Sequence, residues 1–190
     1  WRRKSLEMTE FEKQVYAEGL IDGVEIMNGG EFYPTVVKRA QEHKLFMAAN
    51  TDIHGTTSMD YSNGDHQRNM TLILAKDATL PSIREALEAR RTLAYSFGTV
   101  AGDEQLVKDF FLACVQFELF KTDDKGKRTF RMTNNTSMDF VLRFGNGNPV
   151  QLRAFTSRNV SVAKDKELVF TVDNMWVPTD QQHPEFRVKL

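Results

Sequence analysis

The sequence predicts an α/β region followed by an all-β region, the second an antiparallel β-sandwich. Three observations carry this reading. Up to about residue 112, short apolar runs of strand length alternate with segments of helical periodicity. From residue 116 onward, apolar and polar residues alternate with period two between turn-forming clusters. No Pro-, Gly- or Ser-rich spacer separates the two patterns, which places the boundary near Val115 and gives domains 1–115 and 116–190.

In chain order, residues 5–19 read as a helix, with Leu6, Met8, Phe11 and Val15 near one stripe and Gly19 as its stop. GVEIMN at 23–28 reads as a strand ending before Gly29 and Gly30, which permit a tight turn. Residues 34–43 form the next helix, with Pro34 in its first turn and Val36, Val37 and Ala40 on its apolar side. A buried strand over 45–49 follows and ends in a polar turn, NTDIHG at 50–55. After the polar excursion 55–69 the order recurs: strand 70–75, helix 81–91 and strand 92–97. Strands alternating with helices in this way imply crossover connections and a parallel sheet. At most four such strands are present. A closed barrel needs more, so this region reads as a piece of a larger α/β structure.

A helix over 103–115 leads into the second region, with Cys114, the single cysteine, among its apolar residues. That excludes an internal disulfide and predicts a buried, inert thiol. Alternating runs at 116–121, 128–132, 139–144, 150–155, 159–162, 167–172 and 185–190 then give about seven strands of an Ig-like sandwich. Phe117, Phe120, Phe130, Phe140, Phe144, Phe155 and Phe170 fall on alternate positions and read as its core.

Composition excludes some functions. The chain has 190 residues with 25 basic and 26 acidic side chains, so no net field recruits nucleic acid or an anionic membrane surface. No apolar run reaches the ~18 residues of a bilayer span. The expected protein is soluble. The chain opens on Trp1 rather than Met, which predicts residues upstream of it.

The chemistry concentrates at Asp52 and His54. If the backbone is extended there, side chains at i and i+2 share a side, so a carboxylate and an imidazole converge at a strand end, where α/β folds bind ligands. Asn28 ends a neighbouring strand. His66 and Arg68, in the loop 55–69, are candidates for phosphate contact. His43 reads as a helix C-terminal cation, His183 as structural, and the cluster Arg2, Arg3 and Lys4 as a solvated helix start. Gly29 and Gly30 belong to no phosphate-cradling motif, and Ser5, Ser58 and Ser96 lack a nucleophile elbow.

GVEIMN, NTDIHG, MTLILAKD at 70–77 and EALEARRTLAYSFG at 85–98 together resemble the C-terminal half of the polymerase and histidinol phosphatase (PHP) family of metal-dependent phosphoesterases. The resemblance covers about residues 20–112, and the sandwich is similar to a C-terminal extension of some members. It implies a partial, distorted β/α barrel. It further implies Asp52 and His54 as metal ligands, two or three zinc, manganese or iron ions, and a small phosphate-ester substrate. Asn28, His66 and Arg68 are the expected substrate contacts. The family's other ligands would precede Trp1, so the expected partner is an upstream half of the same protein, and the chain alone is expected to be inactive. A strand edge left unpaired would favour homo-oligomers. The alternative reading is a non-catalytic binding or scaffolding module centred on the sandwich.

Overall fold

The structure is a computed structural model that describes residues 7–61, 67–179 and 182–188. Contacts divide the chain into two units, Trp1–Asp103 and Glu104–Leu190. The cluster Arg2, Arg3 and Lys4 and the loop residue His66 lie outside the described residues.

The first unit begins at Thr9, which caps α1 (Glu10–Ala17): the Thr9 hydroxyl accepts from Glu12 N while the Glu12 carboxylate accepts from Thr9 N at 2.8 Å. Such a box stabilises a helix start by about 1 kcal/mol. It starts the helix at Glu10, five residues later than the expected Ser5. No α1 residue is buried, and Phe11, assigned to an apolar stripe, is 74% exposed. β1 (Gly23–Asn28) turns at Gly29-Gly30 into the short β2 (Glu31–Phe32), and α2 (Pro34–Glu42) carries the chain to β3 (Phe46–Asn50). β1 and β3 are parallel, with Asn28 beside Asn50. Val37 and Ala40 of α2 are fully buried, as its periodicity requires.

The five-residue α3 (Thr57–Tyr61) lies in the loop read from sequence as irregular. β4 (Met70–Ile73), α4 (Leu80–Glu88), β5 (Thr92–Ser96) and β6 (Thr99–Ala101) complete the unit. Here the expected parallel sheet is corrected. β4 and β5 are antiparallel, with Met70 beside Tyr95 and Ile73 beside Thr92. The segment between them leaves and returns at one end, where Leu74 N donates to Arg91 O at 2.9 Å, so its helix is an excursion rather than a crossover. The unit therefore holds two small sheets, β2-β1-β3 and β4-β5-β6, and no barrel closes among the described residues. Threonines bridge them: Thr92 Oγ1 accepts from Met47 N at 2.9 Å and Thr71 Oγ1 from Ala49 N at 3.0 Å.

The second unit starts with α5 (Glu104–Cys114), the helix assigned from sequence to the first region. The fully buried Phe111 explains this, since its ring meets those of Phe117, Phe140, Phe170 and Phe186, all from the second unit. Cys114 is buried, and desolvation pushes its thiol up to about 11. The strands are β7 (Val115–Thr122), β8 (Arg128–Asn134), β9 (Phe140–Arg143), β10 (Val150–Leu152), β11 (Ser157–Val162), β12 (Leu168–Val172), β13 (Met175–Trp176) and β14 (Glu185–Val188). Apart from the two-residue β13, they form antiparallel sheets β11-β8-β7 and β10-β9-β12-β14. Phe117 of the first stacks on Phe170 of the second at 6.1 Å, so the two share a core. Phe120 and Phe155, assigned to that core by alternation, are 45% and 72% exposed. Arg131 lies over the Phe120 ring, and Phe155 sits in a turn at φ +53°, outside any strand.

Candidate functional site

The ends of β1, β3 and β5 and the start of β4 meet at one rim, and buried polar side chains fasten them. Asn69 Nδ2 donates to Gly29 O at 2.6 Å and to Asn50 O at 2.9 Å. Ser96 Oγ donates to Asn69 Oδ1 at 2.8 Å and reaches Gly29 O at 3.3 Å. Asn69 and Ser96 are both buried. Because a buried donor without a partner costs about 1–3 kcal/mol, this network holds the rim in one arrangement.

Glu25 adds a second clasp. Its carboxylate accepts from Asn28 Nδ2 at 2.5 Å and from Asn50 Nδ2. In a regular strand, positions 25 and 28 face opposite ways. The register of β1 shifts between Glu25 and Met27, and this bulge returns both side chains to one side.

Asp52 and His54 lie just beyond β3. His54 Nε2 stands 3.5 Å from Asp52 Oδ1, and the two side chains are 89% and 63% exposed respectively. Their convergence does not arise from an extended backbone. β3 ends at Asn50, and Asp52 sits in the left-handed region at φ +53°, a conformation that aspartate tolerates better than most residues. The turn packs closely on the β1–β2 turn: a Cβ placed on Gly29, itself at φ +53°, would lie 4.0 Å from Asp52 Cβ.

The donor set suits a metal. Two ligands at about 2.0–2.2 Å from a tetrahedral ion stand about 3.4 Å apart, close to the observed separation. One oxygen and one imidazole nitrogen suit borderline divalent ions. Among the described residues, no group of three or more His, Cys, Asp and Glu side chains is placed to hold a metal ion. The pair by itself offers two donors.

A cleft of about 540 Å³ runs along this rim, lined by Asn50, Thr51, Asp52, Arg68 and Asn69 among others. Arg68 therefore shares a cavity with Asp52. Asn28 does not line it, and its amide is turned onto Glu25. His43 caps α2 and meets the edge of Tyr16 at 4.9 Å, while His183 Nδ1 lies 2.9 Å from Met175 O. Both have structural settings. Glu25, Asn50 and Asn69 were not singled out from sequence, and Ser96 was considered only as a nucleophile. The local signal was the adjacent apolar pair Ile26 and Met27, which breaks strand alternation; both are buried, and the bulge lies beside them.

The fold and rim define a mixed α/β protein with strands in several sheets and a carboxylate–imidazole pair at a strand end. No protein-family model matches the chain, and no curated protein matches it. A solved structure does. It is a two-domain protein from Bacteroides vulgatus described as containing a predicted PHP-like metal-dependent phosphoesterase, 26% identical with a TM-score of 0.87. The similarity covers 98% of this chain and 58% of that one, so this chain spans less than two thirds of its neighbour's length. Among the described residues, no helix is long and apolar enough to cross a membrane.

Proposed function

We propose that this chain contributes part of the active site of a metal-dependent phosphoesterase, with Asp52 and His54 as two of its metal ligands. The observation that carries the reading is the 3.5 Å approach of an exposed carboxylate and imidazole just beyond the end of a half-buried strand. The likeness to a PHP-like protein supports it. On this reading the two sheets joined through Thr71 and Thr92 are an arc of an incomplete β/α barrel.

The residues have separable tasks. Asp52 supplies an oxygen and His54 a nitrogen to zinc, manganese or iron. Bound divalent ions would lower the pKa of a coordinated water and neutralise phosphoryl oxygens. Arg68, which lines the same cleft as Asp52, offers a cation to the phosphate of a small ester. The Asn69, Ser96 and Glu25 contacts hold the rim so that these groups stay aligned. A catalytic zinc usually takes three protein ligands, so the remaining donors are proposed to come from residues outside 1–190.

Elemental analysis of full-length protein purified without chelator tests the proposal. Zinc, manganese or iron should be present, and Asp52→Ala and His54→Ala should each reduce it together with hydrolysis of a phosphate ester. Unchanged metal content and hydrolysis in both variants would overturn the reading.

A further inference from the structure

Phe97 occupies an unfavourable backbone position. Ser96 faces Thr99 across the β5–β6 hairpin, so Phe97 and Gly98 are its two turn residues, with φ +45° and +81°. Two-residue turns with positive φ at both positions favour Asn and Gly, and a bulky side chain there is strained. Phe97 is 47% exposed, so much of its ring remains open to solvent. Its ring stacks on Tyr61 at 6.2 Å with 30° between planes. Strained, half-exposed residues of this kind concentrate where proteins bind ligands.

Phe97 directly follows the β5 end of the rim, and its ring contact brings Tyr61 beside that end, although neither ring lines the cleft itself. Ser96, immediately before Phe97, bonds Asn69, which lines the cleft with Asp52 and Arg68. Tyr61 ends α3, the short helix that follows His54. We infer that Tyr61 and Phe97 form an aromatic wall beside the site and select ligands whose phosphoryl group is carried directly on an aromatic ring, an aryl phosphate rather than an alkyl one. The inference rests on the phosphoesterase reading for the anion and on the ring pair for the choice among anions. Stacking explains why a phenylalanine occupies a turn position suited to asparagine: an exposed ring offers a flat apolar surface to a ligand.

Calorimetric titration of the full-length protein with phenylphosphonate and methylphosphonate tests it, since the two non-hydrolysable probes differ in whether they carry a ring. Phenylphosphonate should bind about tenfold more tightly, in line with the strength of a single aromatic stack. Phe97→Asn should abolish that preference while Tm holds or rises, because asparagine accepts the turn. Tyr61→Ala should weaken the preference without touching the turn, and Arg68→Ala should weaken both probes alike. Equal binding of the two probes by wild type, no binding of phenylphosphonate, or a preference surviving both Phe97→Asn and Tyr61→Ala would overturn the inference. Failure of the phosphoesterase reading shows separately, as unchanged metal content in Asp52→Ala, and leaves the ring preference measurable.

Discussion

Asn69 Nδ2 donates to the carbonyl of Gly29 at 2.6 Å, a contact across 40 positions of sequence that joins the start of β4 to the β1–β2 turn. The same amide group also bonds Asn50 O, and the Asn69 carbonyl accepts from Ser96. One buried side chain therefore ties together the ends of three strands and the start of a fourth.

Asn69→Ala should destabilise the protein by about 1–3 kcal/mol, because it removes the buried acceptor of the Ser96 hydroxyl and the donor shared by the half-buried Gly29 carbonyl and the Asn50 carbonyl. Urea unfolding measures this. A loss below about 0.5 kcal/mol would mean that the rim does not depend on this network.

Asp52 and Glu25 should respond in opposite ways. Asp52 is exposed, and among the described residues its carboxylate pairs with His54, so Asp52→Ala should change stability by no more than about 0.5 kcal/mol. Glu25 is half-buried and receives both rim asparagines, so Glu25→Ala should cost about 1–3 kcal/mol. Thermal melts of the two variants beside wild type give the comparison.

Phe111→Ala should lower unfolding free energy by about 3–5 kcal/mol, the usual cost of removing a fully buried ring. Its four aromatic neighbours lie on β7, β9, β12 and β14. Loss of near-ultraviolet circular dichroism from the second unit's aromatic cluster should accompany the change.

The Cys114 thiol gives a pH dependence of known sign. Burial raises its pKa from 9.0 to about 11. Below pH 9 the thiol is protonated in both folded and unfolded chains. Between about 9 and 11 the unfolded chain loses the proton and the folded one keeps it, so stability falls as pH rises through that window. Cys114→Ala should flatten the decline relative to wild type. At pH 8 the native thiol should resist a disulfide reagent and become reactive on denaturation.

The short-range features were legible because neighbours along the chain decide them. GVEIMN is β1 from end to end, and the alternating runs after residue 116 become paired antiparallel strands. Period-two patterning reports which side of a strand meets a core whatever the strand's partner is. Asp52 and His54 stand close because one residue separates them, although a left-handed turn rather than an extended strand brings them together. The same reasoning overreached at Phe120 and Phe155, where alternation promised burial that the sheets do not provide.

What the tertiary structure alone decided is everything that depends on which distant segments meet. The antiparallel course of β5 against β4 follows from a chain that leaves and returns at one end, and a helical pattern of the same length serves a crossover equally well. Glu25 and Asn50 are 25 positions apart, Ser96 and Gly29 67, and no periodicity in one segment specifies its contact with the other. Hydrophobic patterning selects local conformation and the buried face, while polar partners are selected only when folding brings groups together whose hydrogen bonds must then be satisfied.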